Sequence, residues 1–198
     1  MATLLAADEK IVKDYWKWLC NLNKHDNPAL NNDGDLDEIH NTNEDYFFLS
    51  PCIGGASDRI CNVNSDKKIL IPSLSCLSSV AERPGSNIDD LNKFTDVDHE
   101  NIVYRKIEID GKPLVGNLEQ RYRIRTKEPF KVVYPDHAIF NAKAGQSEAV
   151  ADGVYIVCKL PPGEHIVHFE GKISLSEEDE SLESRDYLED VTYTLKVK

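Results

Sequence analysis

The segment Val191-Thr192-Tyr193-Thr194-Leu195-Lys196-Val197-Lys198 alternates apolar and polar residues over eight positions. A period of two puts Val191, Tyr193, Leu195 and Val197 on one face of a strand, with hydroxyls and lysines on the other. Such a strand needs neighbours for its backbone groups and a second layer over its apolar face. The second half of the chain supplies both. Ile102–Ile109 reads as a strand ended by Asp110-Gly111, a dipeptide that favours a tight hairpin turn. In Arg121-Tyr122-Arg123-Ile124-Arg125-Thr126, alternation turns Tyr122 and Ile124 inward and the arginines outward. Phe130–Tyr134 is a further run, and Gly153–Leu160 and Glu164–Glu170 flank Pro161-Pro162-Gly163 as a predicted hairpin. Earlier in the chain, Tyr46-Phe47-Phe48-Leu49 and Lys68-Ile69-Leu70-Ile71 read as strands.

One helix stands beside these strands. Ile11, Val12, Tyr15, Trp16, Trp18, Leu19 and Leu22 recur at spacings of three and four, and Asp8 and Glu9 sit where a helix N-terminus favours acid. The pattern predicts a helix over about 8–22 that packs onto a sheet by its aromatic face. Residues 72–100 are rich in Ser, Asp and Asn and are broken at Pro84-Gly85, which predicts an irregular region with a short helix around Ile88–Phe94. Neither a repeat nor a linker divides the chain, so one domain over residues 1–198 is expected, its strands lying mainly in 102–198. Short strands separated by turn signals predict a mainly β fold: a single β-sandwich, jelly-roll or immunoglobulin-like, with the N-terminal α-helix packed on it. Its expected interior is apolar filling.

At 198 residues the chain can bury a core without disulfides or metal. It carries 23 Lys and Arg against 35 Asp and Glu, a net charge of −12, and the acid is concentrated. Residues 26–45 and 177–190 hold 15 of the 35 acids and one base, Arg185. Both windows read as solvated loops on a nearly neutral body. The negative balance argues against sequence-independent nucleic-acid binding, which needs a surplus of Lys and Arg. No apolar run approaches the roughly 18 residues that span a bilayer. Ala2–Ala7 is uncharged but too short for a secretory core, so a cytoplasmic protein is expected, with secretion the alternative if a signal peptide has been removed. Cys20, Cys52, Cys61, Cys76 and Cys158 are odd in number and irregular in spacing, which suits buried or free thiols. In a secreted protein, Cys52 and Cys61 around Gly54-Gly55 could close a small disulfide loop.

Candidate sites are few. Calcium takes six to eight oxygens, and Asn31, Asp33, Asp35, Asp37 and Glu38 around Gly34 could supply several. An EF-hand register would put Ala29 in the first ligand position, so the candidate is a loop site of another kind. The histidines and cysteines form neither C-x-x-C nor H-E-x-x-H. His165 and His168, three apart on a predicted strand, point to opposite faces and cannot share an ion unless a bulge intervenes. Cys52 and Cys61 with His25 or His40 remain a cluster that only folding could assemble. No nucleophile elbow surrounds Ser73, Ser75, Ser78 or Ser79, and Gly54-Gly55 opens no phosphate loop. Arg121, Arg123, Arg125 and Lys127 form a positive row for cross-strand pairing, with Glu108 for example, or for an anion or partner. The partner could be the acidic segment of a second copy, giving a homo-oligomer.

Leu160-Pro161-Pro162-Gly163-Glu164-His165-Ile166-Val167-His168-Phe169-Glu170-Gly171 resembles the penultimate hairpin of immunoglobulin-like β-sandwiches. With Trp16-Lys17-Trp18-Leu19, Asn27-Pro28, Phe47-Phe48-Leu49, Arg59-Ile60-Cys61, Lys68–Pro72, Ile109-Asp110-Gly111 and Asp152-Gly153, the chain is similar to a family of uncharacterised prokaryotic proteins. That resemblance implies a single sandwich domain and carries over no catalytic residue. The expected function is a non-catalytic binding or structural module for a protein or small ligand, without a cofactor other than calcium at residues 31–38. The alternatives are a calcium- or metal-dependent sandwich, carbohydrate-binding or hydrolytic, and an intracellular enzyme with a pocket from residues 50–100.

Overall fold

The computed structural model describes residues 2–30, 33–35, 43–53, 55–174 and 186–198. The elements are β1 (Thr3–Ala6), α1 (Glu9–Cys20), β2 (Asp33–Asp35), β3 (Tyr46–Phe48), β4 (Gly55–Val63), β5 (Lys68–Ser79), α2 (Ile88–Glu100), β6 (Ile102–Ile109), β7 (Lys112–Pro113), α3 (Leu118–Tyr122), β8 (Phe130–Tyr134), β9 (Gly145–Lys159), β10 (Gly163–Ile173) and β11 (Tyr187–Val197). They form two mixed sheets. The first runs β1-β9-β5-β3, with β8 also on β9; the second runs β2-β4-β11-β10-β6-β7. The pairs β3–β5, β2–β4 and β4–β11 are parallel, and the other pairs are antiparallel.

Alternation determines what lies between the sheets. Val191, Tyr193, Leu195 and Val197 point inward as their spacing predicts, and with Val167, Phe169, Ile107 and Ile109 they meet Ile71, Val154, Ile156 and Cys158 of the first sheet. The other face of the first sheet is covered by α1. Asp8 caps that helix by accepting from the Ile11 N–H at 2.8 Å, and Ile11, Val12, Tyr15, Trp16, Leu19 and Cys20 are buried against Phe48, Leu70, Val132 and Tyr155. Trp16 Nε1 donates to the Tyr155 hydroxyl at 2.7 Å, which satisfies both buried polar groups at the helix–sheet contact. All five cysteines are free thiols, and Cys52 and Cys61 lie unbridged in the core.

Three sequence expectations are corrected. The Pro161-Pro162-Gly163 turn does not close a hairpin. It carries the chain from β9 in the first sheet to β10 in the second, and prolines without an N–H suit a crossing that has no ladder to join. Residues 121–126 are not one strand. Asn117 caps α3, whose last residue Tyr122 enters the intersheet core, and the chain then extends along β9 with Ile124 packed on the opposite layer. Nor is 72–100 irregular throughout: only 80–87, around the expected Pro84-Gly85 break, lack regular structure. β5 continues through Pro72 to Ser79, and α2 runs to Glu100 behind a reciprocal cap between Asn87 and Asp90.

β5 survives its proline by a bulge. Its register with β9 shifts between Ser73 and Cys76, and Leu74 there adopts φ 41°, a left-handed conformation rare for a branched residue. Two glycines make room. A Cβ at Gly153 (φ 155°) would lie 2.6 Å from Ser75 Cα, and one at Gly171 would lie 2.5 Å from Leu74 Cδ1 and 2.9 Å from the Tyr104 carbonyl. Gly171→Ala is therefore expected to lower unfolding free energy by about 1–3 kcal/mol in urea titrations, with the slope unchanged. A variant as stable as the parent would show that the bulge has slack.

Candidate functional site

The outer face of the second sheet gathers ionisable groups by register. Alternation along β10 turns His168, Glu170 and Lys172 outward, while Asp190 of β11 and Lys106 and Glu108 of β6 share that face. Glu170 lies directly opposite Asp190 on one side and Lys106 on the other; His168 lies opposite Glu108. Like charges directly opposed across a ladder repel unless a cation serves them. Lys106 serves part of this need, with its Nζ 3.4 Å from Glu108 and 3.5 Å from Glu170. Asp190 instead faces His168, Oδ1 to Nε2 at 2.9 Å.

His168, Glu170 and Asp190 each turn one metal-capable atom to the same place, all within 4.8 Å of one another. Among the described residues no other group of three or more His, Cys, Asp and Glu converges this way. One imidazole nitrogen with two carboxylates is a borderline donor set, suited to zinc or another divalent transition ion more than to calcium, which prefers oxygen alone. Glu108 lies 3.6 Å from the other His168 nitrogen, Nδ1, longer than a hydrogen bond but on the side where a carboxylate orients the ring of a metal-bound histidine. The three ligands sit on adjacent strands paired along eleven residues, so their spacing is held by the backbone.

The interior also contains charge, which corrects the expectation of apolar filling alone. Arg59 is 1% exposed, and its guanidinium acts as a fork. Nη1 donates to the Ser50 carbonyl (2.6 Å) and the Tyr193 hydroxyl (2.7 Å), while Nη2 donates to the carbonyls of Pro28 (2.6 Å) and Pro51 (3.2 Å). Glu189 is equally buried, and its carboxylate accepts the Leu74 N–H at 3.0 Å. Burial pushes that carboxyl up to about 7, against the pull of the Leu74 N–H and of Arg105 and Arg59. Arg105, pushed down to about 10 by burial, donates to the Leu74 carbonyl at 3.3 Å and pairs with Glu119, which also meets His99 at 3.0 Å. Asp152 is fully buried and accepts both arms of Arg123, at 2.9 and 2.6 Å.

The residues singled out in the sequence fall elsewhere. Asn31, Asp37 and Glu38 lie outside the described residues. Asp33 and Asp35 belong to β2, a short parallel strand on β4. Arg121, Arg123, Arg125 and Lys127 do not share a strand face. Arg121 is in α3, Arg123 holds Asp152, Arg125 pairs with Asp96 at 2.6 Å, and the Lys127 backbone N–H donates to Glu9. His165 points inward, between Asp110 and the Pro161 carbonyl, and His168 outward, as their spacing predicts. Glu189 and Asp190, read as part of an acidic loop, belong to β11. Alternation carried two residues upstream from Val191 puts Glu189 inside and Asp190 outside. The same alternation, carried back from Val63 and Cys61, reaches Arg59 as an inward residue.

No family model matches the chain, and neither a curated protein nor a solved structure matches it. Among the described residues no helix is long and apolar enough to cross a membrane.

Arg59→Met keeps the aliphatic stem but removes the guanidinium, which strips the buried Pro28 carbonyl of its donor and leaves the Ser50 and Pro51 carbonyls only the Tyr193 and Ser50 hydroxyls. It is expected to cost about 3–5 kcal/mol in chemical denaturation, with Arg59→Lys intermediate because one ammonium cannot span the fork. Equal stability of Lys and Arg at this position would assign the effect to charge and not to the bidentate geometry.

Proposed function

We propose that this chain is a divalent-cation-binding β-sandwich module of the immunoglobulin-like or jelly-roll kind. In this reading His168, Glu170 and Asp190 hold a transition ion on the outer face of the second sheet. The observation that carries the reading is the direct opposition of Glu170 and Asp190 beside the His168 imidazole, with one donor atom of each converging. The ion would neutralise the opposed acids and tie β10 to β11. Three protein ligands leave positions for outside donors, such as the hydroxyls of a sugar or a carboxylate of a partner. Their place on a sheet face favours binding over turnover. Lys106 competes with the ion for Glu170 and Glu108.

The test is thermal melting with zinc, manganese, calcium or chelator. Zinc at a hundredfold excess over its dissociation constant should add about 2.7 kcal/mol, a rise of roughly 5–10 °C for a chain of this size. His168→Ala and Asp190→Asn should abolish the rise, and Lys106→Ala should bring it on at lower zinc. Calcium should do less than zinc. An unchanged melting temperature with all three ions would end the proposal.

A further inference from the structure

A cavity of about 680 Å³ lies apart from the outer-face site: none of His168, Glu170 and Asp190 lines it. Its volume is that of a small-molecule site. Its lining includes apolar and aromatic groups, Trp16 and Leu19 of α1 with Ile53, Phe140 and Tyr187. Ile53 and Phe140 remain 41% and 40% exposed, large apolar groups left partly open at a hollow. Phe140 and Asn141 both hold positive φ, 60° and 53°, so the backbone on this side is kept in an unfavourable conformation by its surroundings.

The lining is also ionic, and unbalanced. It carries two carboxyls, Glu82 and Asp98, against one guanidinium, Arg83. The Arg83 guanidinium lies over the Phe94 ring at 3.7 Å, and among the described residues it forms no ion pair with either acid. Glu82 accepts from the Ser79 hydroxyl at 2.7 Å. Asp98 has no hydrogen-bond or ion-pair partner among the described residues. Burial pushes Asp98 up to about 6 and Glu82 up to about 7, and Arg83 pulls both back only in part. Two desolvated carboxyls set against a single guanidinium, in a lining that also holds aromatic groups, reward a cation and penalise an anion.

We propose that this cavity binds a small organic cation, a protonated amine on an apolar or aromatic body. The ammonium takes Asp98, with Glu82 as the second acid, and the body lies along Trp16, Ile53 and Phe140. Arg83 is the charged neighbour of both acids. Cys76 beside Asp98, and Cys20 and Tyr134 beside Glu82, have their own ionisation pushed up by burial and stay neutral. Binding therefore draws both carboxyls into the ionised form and releases protons between about pH 6 and 7.

Calorimetry with three molecules of one shape tests this: 2-phenylethylamine, 2-phenylethanol and 3-phenylpropanoate. The amine should bind at least about tenfold more tightly than the alcohol, and the carboxylate should bind weakest. Titrations in buffers of different ionisation enthalpy should report proton release with the amine alone. Asp98→Asn should bring amine and alcohol together, and Arg83→Gln should strengthen the amine, each variant first shown to melt as the parent does. Equal affinities for amine and alcohol, a preference for the carboxylate, or no heat with any of the three overturns the proposal.

Discussion

A single residue without ladder partners, Leu74, organises the middle of this fold. The bulge after Pro72 leaves its N–H and carbonyl out of register with β9, and two buried charges supply what the ladder does not. Glu189 accepts from the N–H and Arg105 donates to the carbonyl. Glu189, Gly171 and Arg105 are direct neighbours across β11, β10 and β6, so acid and base flank a glycine whose missing side chain makes space for Leu74. Neither charge would be tolerated in an apolar interior without such work. The two sheets are thus joined by ionic contacts to backbone as well as by apolar contact.

The same strand that anchors the interior presents the outer site. In β11, Glu189 and Asp190 are consecutive and point to opposite faces, one to Leu74 and the other to His168. Slipping the strand by a single residue would exchange them, placing a metal-capable aspartate inside and losing the bulge contact. The interior contact therefore holds the register on which the convergence of His168, Glu170 and Asp190 depends. Arg59 plays a comparable part at the far edge, gathering the carbonyls of residues 28, 50 and 51 to one guanidinium.

Much of the secondary structure was legible in periodicity. Ile102–Ile109 and Phe130–Tyr134 appear with the bounds their sequence suggests, and α1 occupies most of its apolar stripe. What failed was inference about neighbours. A Pro-Pro-Gly turn between two apolar runs has the same local signature whether the runs pair or part, and here they part into different sheets. Pro72 and the serines after it suggested an end to β5, because a bulge that rescues a strand depends on glycines far along the chain. The candidate site was obscured for a related reason. His168, Glu170 and Asp190 look like unremarkable surface residues until register brings them together, and a charge count assigns Asp190 to a loop.

The parallel pairing of β4 with β11 has a consequence for how the chain reaches this state. The second sheet is closed by residues such as Gly55 and Glu189, roughly 130 positions apart, and contacts of such high sequence separation place a domain among those that fold in milliseconds to seconds. Until β11 docks, β4 and β10 each present an unsatisfied edge, the kind that recruits foreign strands. The partly folded chain is thus most vulnerable to aggregation in the interval before its two distant strands meet.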